Sequence, residues 1–369
     1  MSIIVARPHI NSTAISLAPE IDLILQCASS KGAQQNKARI ESLLESKIDW
    51  AYLLKMCTRH KVSTLVHFNL DKIASAAIPQ DIRTTFVQFY QINIQKNLLL
   101  TAELLNILKL CRKHQITAVP LKGAVLAQQA YSNFGLRIVS DIDIVVREAD
   151  FAQTQKILTL SGYQAHPQNN PQRVRQAQYN KPNTLLCVDL HYAFSPKNHF
   201  ISVDSARFWD NLTTFSLANQ KIFVFRPVYM AIYLCLEGAK EHWRTLNRIC
   251  DLSELVCSHS LDWSELLEVS QAMGRKITVC LGLYLAHTLL NTPIPHQVWT
   301  EIENNLRVKL SQQEICDFLF RPDFDLSLAF RWHSFNLQGF ESVNHKLKYL
   351  RWVIALNLKT RFSLARSRR

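Results

Sequence analysis

The sequence predicts an α+β fold in which a small mixed sheet is embedded between helical N- and C-terminal regions. Glycine and proline are scarce, 8 and 12 in 369 residues, and the long stretches without either favour helix. Short runs rich in β-branched residues occur in the middle of the chain, whereas helical patterns occupy both flanks. We therefore expect a helical N-terminal region at 1–115, an α/β core at 116–227 and a helical C-terminal region with a basic tail at 228–369.

The composition is typical of a globular protein. Hydrophobic residues make up 48%, and 369 residues suffice for two or three structural units. The most apolar run, 277–290, is too short to cross a bilayer and is predicted to be a buried helix.

The first residues lack a basic segment followed by an apolar one, so no signal peptide is expected. Nine cysteines without a C-x-x-C pair indicate core thiols in a reducing compartment, so we place the protein in the cytoplasm.

The formal charge is +13, and the excess is concentrated at the C-terminal end. No acidic residue follows Glu341, whereas eight basic residues do: Lys346, Lys348, Arg351, Lys359, Arg361, Arg366, Arg368 and Arg369. Such a tail can bind the phosphates of a nucleic acid or of a large anionic substrate. A solvated terminal helix that aids solubility explains it equally well, so both interpretations stay open.

The N-terminal region contains two clear helix patterns. Asp49 is a good N-cap for a helix whose apolar face begins at Trp50. Residues 86–114 form a longer pattern that ends in basic residues, as the helix dipole favours.

The core begins with a β-like run at 116–123, which is followed by a helix. The strand around Asp141 and Asp143 comes next, and then a helix at 149–161. Residues 164–183 are polar and predicted to be a loop. A further strand at 183–194 and a short strand or connection at 221–227 complete the core.

Three aspartates lie in apolar, strand-like surroundings. Asp141 and Asp143 are two positions apart, so their side chains point to one face of a strand. Asp189 lies in the middle of the next predicted strand. If the strands pair, the carboxylates meet, and a divalent cation turns their repulsion into a favourable arrangement. Oxygen ligands select Mg²⁺ or Mn²⁺, so the three aspartates are predicted to bind such an ion.

The turn at Lys122 and Gly123 predicts a phosphate contact. A glycine between strand and helix lets backbone N–H groups approach phosphates, and Lys122 adds a cation. Arg137 can make a forked contact to a triphosphate, and Ser140 is a further candidate for nucleotide binding. Carboxylate-bound metal ions beside a triphosphate indicate phosphoryl or nucleotidyl transfer.

In this order, strand, glycine, helix, Asp-x-Asp, strand and Asp, the chain resembles the DNA polymerase β-like nucleotidyltransferase superfamily. More narrowly, "LKGAVLAQQAYSNFGLRIVSDIDIVV" together with "VDLHYAF" resembles the uncharacterised bacterial nucleotidyltransferases, over most of residues 40–295. The resemblance implies a nucleotidyltransferase-type sheet, with Asp141 and Asp143 as metal ligands. It implies Asp189 as the third carboxylate and base, and Lys122 and Gly123 as contacts to the phosphates of an NTP such as ATP.

The chain departs from these families at two points. Ala124 follows Gly123 where the superfamily usually has serine or glycine, so a hydroxyl contact to phosphate is missing. Glu237 and Glu241 stand where the narrower family tends to have histidines. If those histidines contact the nucleotide, the acidic replacements would weaken nucleotide binding or change the substrate.

Charged residues after Val228 share one face if the helix is continuous, namely Glu237, Glu241, Arg244, Arg248 and Asp251. A surface stripe of opposite charges is one interpretation, and it is favoured for Arg248. The other is a helical lid that brings Lys240, Arg244 or Asp251 to the nucleotide. His191 is predicted to face away from Asp189 and to be structural.

The predicted function is metal-dependent transfer of a nucleoside monophosphate from an NTP to an acceptor hydroxyl of a small molecule, peptide or RNA. One alternative is a toxin that modifies tRNA or other RNA. The other is a binding or adaptor protein on a catalytically decayed core. No membrane partner is expected.

Overall fold

A computed structural model of the chain describes residues 18–31, 33–167, 169, 175–194 and 205–320, together with positions 343, 346, 347, 350 and 351. Helices from both ends of the chain surround a mixed sheet and a two-stranded hairpin. The predicted α+β fold is confirmed. Of the eight tail residues, only Lys346 and Arg351 fall within the described part, and the other six lie outside it.

The elements follow the predicted order of helices, core and helices. The helices that precede the sheet are α1 (Pro19–Cys27), α2 (Lys37–Leu44), α3 (Trp50–Arg59), α4 (Ser63–Ala74) and α5 (Gln80–Lys113). The core contains β1 (Val119–Pro120), α6 (Gly123–Gln129), β2 (Ile142–Val145), α7 (Glu148–Leu160), β3 (Gln164–Ala165), β4 (Gln176–Asn180), β5 (Cys187–His191), α8 (Ser205–Asp210), β6 (Leu212–Leu217) and β7 (Gln220–Phe225). The described C-terminal helices are α9 (Pro227–Lys240), α10 (Leu246–Ser258), α11 (Trp263–Ala272), α12 (Lys276–Leu290), α13 (His296–Glu303) and α14 (Leu306–Leu319).

Local signals account for the ends of several helices. Asp49 caps α3 as predicted, because its side chain accepts a hydrogen bond from the Tyr52 N–H at 2.9 Å. Asp262 caps α11 in the same way. The long helix α5 begins six residues earlier than the predicted 86, directly after Pro79, whose extended backbone ends the preceding segment.

The five-stranded sheet has the order β1-β2-β5-β4-β3. Strands β2 and β5 are parallel, and the other neighbours are antiparallel. The prediction of a loop throughout 164–183 is wrong, because β3 and β4 lie within it. The short alternation that places Ala177 and Tyr179 in the core, between polar residues, makes β4 a strand. The hairpin partner β6 was not predicted either.

Two hydrophobic cores meet along α5. Its first half, with Phe86, packs in a core formed by N-terminal and C-terminal helices together. Its second half, with Leu104 and Leu108, packs on the sheet, α7 and the hairpin. Helices α1 and α12, which lie far apart in the sequence, are in contact. The two helical regions therefore share one core, and the boundaries near 115 and 227 stay a prediction.

The helix predicted to continue from Val228 is interrupted. The prediction of a single charged face from Glu237 to Asp251 is therefore wrong. Helix α9 ends at Lys240, and His242 and Trp243 adopt left-handed backbone conformations. The Trp243 N–H donates to the Gly238 carbonyl at 2.8 Å, which closes the helix end. The Trp243 ring is fully buried, and it packs so closely on Gly238 that a Cβ there would lie 2.5 Å from the ring.

Helix α12 confirms the buried helix predicted at 277–290, since most of its residues are buried. Within the described ranges, none of the helices combines the length and apolar character needed to cross a bilayer. All nine cysteines fall in described segments and are free thiols, six of them buried.

His60 links α3 to the start of α10. We expect it to make the stability of the fold sensitive to acid. Its ring is fully buried, and its Nδ1 accepts from the Leu246 N–H at 3.3 Å. Burial, with a smaller effect of Arg59, lowers the His60 pKa from 6.5 to about 4. Between these values the unfolded chain takes up a proton that the folded chain excludes, so stability falls as the pH drops. We expect a loss of about 2 kcal/mol between pH 7 and pH 5 in urea unfolding.

His60→Asn keeps an acceptor for Leu246 but does not titrate, so this loss should disappear. His114→Asn, at an exposed position, is the control and should retain it. An unchanged pH dependence in His60→Asn would show that other groups cause the acid sensitivity.

Candidate metal and nucleotide site

Helices α4 and α5 fix the loop that leads into the aspartate strand. The Nδ2 groups of Asn93 and Asn97 donate to the Arg137 carbonyl at 3.0 and 2.8 Å. The Thr64 hydroxyl donates to the Leu136 carbonyl at 2.6 Å. These three side chains are buried, so water does not compete with their hydrogen bonds to the loop carbonyls. The hydrogen bonds therefore fix the position of the loop.

Asp143 and Asp189 lie directly opposite each other on the parallel strands β2 and β5. His191 lies with them, and its Nε2 is 3.3 Å from Asp143 Oδ1. One ligand atom from each of these three residues lies within 4.8 Å of the others. The prediction that His191 faces away from Asp189 is therefore wrong. Residues two apart on a strand share a face, so the sequence itself contained the signal.

The two carboxyl groups differ in their proton affinity. Burial opposes the charge of Asp143, but Lys122 and His191 outweigh burial, so its pKa lies below the usual range. Burial and the neighbouring charge of Asp143 raise the pKa of Asp189 to about 6. The pair thus contains one group that stays ionised and one that changes protonation close to neutral pH.

The donor set fits a divalent cation. Asp143 Oδ2 and Asp189 Oδ1 are buried and accept no hydrogen bond from the described residues. Asp143 Oδ2 lies 3.4 Å from Lys122 Nζ, which supplies charge compensation. A buried acceptor without a hydrogen bond, such as Asp189 Oδ1, costs free energy unless a partner is supplied. Two carboxylates with one imidazole suit Mg²⁺ or Mn²⁺, and the imidazole extends the choice toward zinc and other transition metals.

Asp141 lies beside this group but does not belong to it. It precedes β2, is half-buried, and its Oδ1 accepts a hydrogen bond from the Ser140 hydroxyl at 2.9 Å. Its carbonyl oxygen faces Gly123, where an added Cβ would lie 3.6 Å away. The structure therefore brings together two of the three predicted aspartates, Asp143 and Asp189, with His191 in place of the third.

Gly123 lies at the junction of β1 and α6, as predicted, and its contact with phosphate stays a prediction. Gly123 adopts a φ of 66°, which glycine tolerates and other residues rarely do. It begins the short helix α6, and a small pocket beside it is lined by Lys122, Asp141 and Asp143, among others. The turn and the carboxylates thus face a common space.

Arg137 and Asp251 form a buried, two-pronged ion pair instead of facing this space. Arg137 Nε and Nη2 each donate to Asp251 at 2.8 Å, and the Tyr131 hydroxyl donates to the same carboxylate. The forked edge of Arg137, expected to contact a triphosphate, is therefore occupied. Its Nη1 is 3.4 Å from the Gly123 carbonyl, which connects the ion pair to the turn.

Glu237 reaches the site from α9. The sequence alone marked this residue only as a departure from the family. It is 4% exposed, and its Oε2 is 3.4 Å from Lys122 Nζ. Its Oε1 is 3.1 Å from Lys240 Nζ. Burial alone would raise the Glu237 pKa, but Lys240, Lys122 and Arg248 overcome it and lower the pKa well below its usual range.

Two further residues near Glu237 were not predicted as part of the site. Tyr233 lies one turn earlier on α9, and its fully buried hydroxyl has no hydrogen-bond partner among the described residues. Arg248 was assigned to a surface stripe, yet its side chain is only 14% exposed and pairs with Glu241 at 3.1 Å. Contacts between α9, α10 and the sheet, which only the fold creates, bring both residues here.

Comparisons with known proteins found one matching family and similar solved structures. The sequence model of a family described as "Uncharacterised nucleotidyltransferase" matches residues 46–291, about two thirds of the chain. No curated protein matches. The chain is also similar to the crystal structure of an antigenic nucleotidyltransferase-like protein from Paracoccidioides brasiliensis, with 14% identity and a TM-score of 0.34. That similarity covers 57% of this chain and 96% of the other. On the family match, the chain belongs to the uncharacterised nucleotidyltransferase family.

Proposed function

We propose that the chain is a metal-dependent enzyme that transfers a nucleoside monophosphate from an NTP to an acceptor hydroxyl. The observation that carries this proposal is the pairing of Asp143 and Asp189 on neighbouring parallel strands, each with a buried carboxylate oxygen that accepts no hydrogen bond from the part of the chain that the structure describes. Together with His191, these groups would hold a divalent cation, Mg²⁺ or Mn²⁺. When bound, the ion would neutralise phosphate charge and acidify the attacking hydroxyl.

The two paired carboxylates are proposed to have different roles. Asp143 is oriented by His191, whose Nε2 lies 3.3 Å from its Oδ1. Asp189, opposite Asp143 on β5, would take the proton from the acceptor hydroxyl as that oxygen attacks the α-phosphorus and pyrophosphate leaves. Asp141, oriented by Ser140, adds a further carboxylate to the lining of the pocket beside Gly123.

Other residues would position the nucleotide. Lys122 and Lys240 supply positive charge for the phosphates, and the backbone at Gly123 allows close approach. Arg137 and Asp251, predicted as nucleotide contacts, are here proposed to act through Gly123. Their buried pair holds the carbonyl of that turn and so fixes its left-handed backbone.

Transfer of label tests the proposal. The purified chain is incubated with each α-labelled NTP, Mg²⁺ or Mn²⁺, and an extract of cell RNA and metabolites. We expect label in an acceptor, loss of that label with Asp189→Asn, and its retention with the exposed control Asp81→Asn. Undiminished transfer by Asp189→Asn would contradict the mechanism. NTP binding without any transfer would favour the binding or adaptor protein.

The acceptor class can be identified in the same assay. The +13 formal charge favours an RNA acceptor, whose binding depends on neutralising several phosphates. Transfer to RNA should fall by at least about ten-fold between 50 and 200 mM salt. Transfer that is insensitive to salt and to ribonuclease would indicate a small-molecule or peptide acceptor.

A further inference from the structure

Lys122 occupies a shared position between two buried carboxylates. Its Nζ lies 3.4 Å from Asp143 Oδ2 and 3.4 Å from Glu237 Oε2. The lysine side chain is 12% exposed, and those of Asp143 and Glu237 are 2% and 5% exposed. The ammonium group therefore neutralises the Asp143 oxygen that a cation would use, and no described residue donates a hydrogen bond to that oxygen.

We propose that Lys122 is an internal counter-ion of Asp143 and that Glu237 is the positioning residue that draws Lys122 aside when a divalent cation binds. The inference rests on the metal site of the proposed function.

The need for an exchange follows from charge and distance. A cation bound to Asp143 Oδ2 at about 2.1 Å would lie within about 6 Å of Lys122 Nζ. Two positive charges this close in a buried site repel each other strongly. Lys122 cannot leave for water without losing its partners, since its side chain is almost fully buried.

Glu237 provides the alternative partner. It already contacts Lys122, and Lys240 holds its other oxygen at 3.1 Å. A small rotation of the Lys122 side chain toward Glu237 would shorten one ion pair and lengthen the other. Lys122 thus keeps a carboxylate partner both with and without the cation. When the cation binds, the Asp143 carboxylate is no longer paired with Lys122.

Four proteins test the inference: the full-length chain, Lys122→Met, Glu237→Gln and the double variant. Mn²⁺ binding is measured calorimetrically without nucleotide. We expect Lys122→Met to bind Mn²⁺ at least about ten-fold more tightly, because the competing cation is gone. Glu237→Gln should bind at least about ten-fold more weakly, because Lys122 is left with Asp143 alone.

The double variant separates the exchange from simple charge effects. If Glu237 acts through Lys122, the double variant should bind Mn²⁺ as tightly as Lys122→Met. The inference would be overturned if Glu237→Gln weakened Mn²⁺ binding equally in the unmodified chain and in Lys122→Met. Glu237 would then act only as a distant negative charge. Glu241→Gln makes the same charge change at an exposed position that contacts Arg248, and it should leave affinity unchanged.

Thermal unfolding gives a readout independent of activity. Without metal, Lys122→Met leaves Asp143 without its counter-ion, so its midpoint should fall, and Mn²⁺ should raise that midpoint more than in the unmodified chain. Should Lys122→Met fail to fold, Lys122→Gln, which removes the charge but keeps a polar side chain, takes its place. If Mn²⁺ binds equally well to all variants, the exchange is contradicted but the metal site is not. No Mn²⁺ binding by any variant contradicts the metal site and, with it, the exchange.

Discussion

Asp143→Asn is expected to lower kcat for nucleotide transfer by at least about 1,000-fold. The change removes one negative charge from the pair formed with Asp189 while keeping the size of the side chain. It also removes the carboxylate that Lys122 and His191 contact. Single-turnover transfer of label from an NTP, at saturating Mg²⁺ or Mn²⁺, is the appropriate measurement because it isolates the chemical step.

The matched control is Asp210→Asn, which makes the same change at an exposed position at the end of α8. It should retain activity within about two-fold, as surface substitutions usually leave function unchanged. The unfolding midpoint of Asp143→Asn should be measured alongside, so that loss of activity is not confused with loss of structure. If Asp143→Asn keeps more than about a tenth of the activity, the assigned metal ligand is wrong.

Arg137→Met is expected to destabilise the protein by about 3–5 kcal/mol. It leaves Asp251, whose side chain is fully buried, without the two hydrogen bonds that neutralise it. Tyr131 alone cannot compensate a buried carboxylate. Urea unfolding at neutral pH measures the loss. Adding Asp251→Asn to Arg137→Met should recover at least half of it, because the amide is neutral and still accepts from Tyr131.

An exposed ion pair provides the comparison. Arg39 contacts Asp22 at 2.5 Å, but its side chain is 56% exposed. Arg39→Met should therefore cost less than about 1 kcal/mol. Equal effects of Arg137→Met and Arg39→Met would show that burial does not make the Arg137–Asp251 pair more important to stability than an exposed pair.

Features encoded by neighbouring residues could be predicted from the sequence. The cap at Asp49 needs only a carboxylate three residues before a free backbone N–H. The left-handed turn at Gly123 needs only a residue without a Cβ. The apolar alternation around Asp143 is enough to predict a strand. For these reasons the α+β fold and the placement of Asp143 and Asp189 in strands followed from short stretches of sequence, whereas their adjacency required the pairing of β2 with β5.

Features that depend on residues far apart could not be predicted in this way. Arg137 and Asp251 are 114 positions apart, and nothing local distinguishes an arginine that binds phosphate from one that binds a buried aspartate. The break after Lys240 depends on the Trp243 ring packing against Gly238. His191 is different, since strand alternation alone places it beside Asp189.

The central claim is that Asp143, Asp189 and His191 hold one divalent cation. Crystals soaked in Mn²⁺ and examined at the manganese absorption edge test it most directly. The account predicts one anomalous peak within about 2.5 Å of an oxygen of Asp143 and of Asp189. A peak elsewhere, or none where Mn²⁺ saturates the protein in solution, would contradict it.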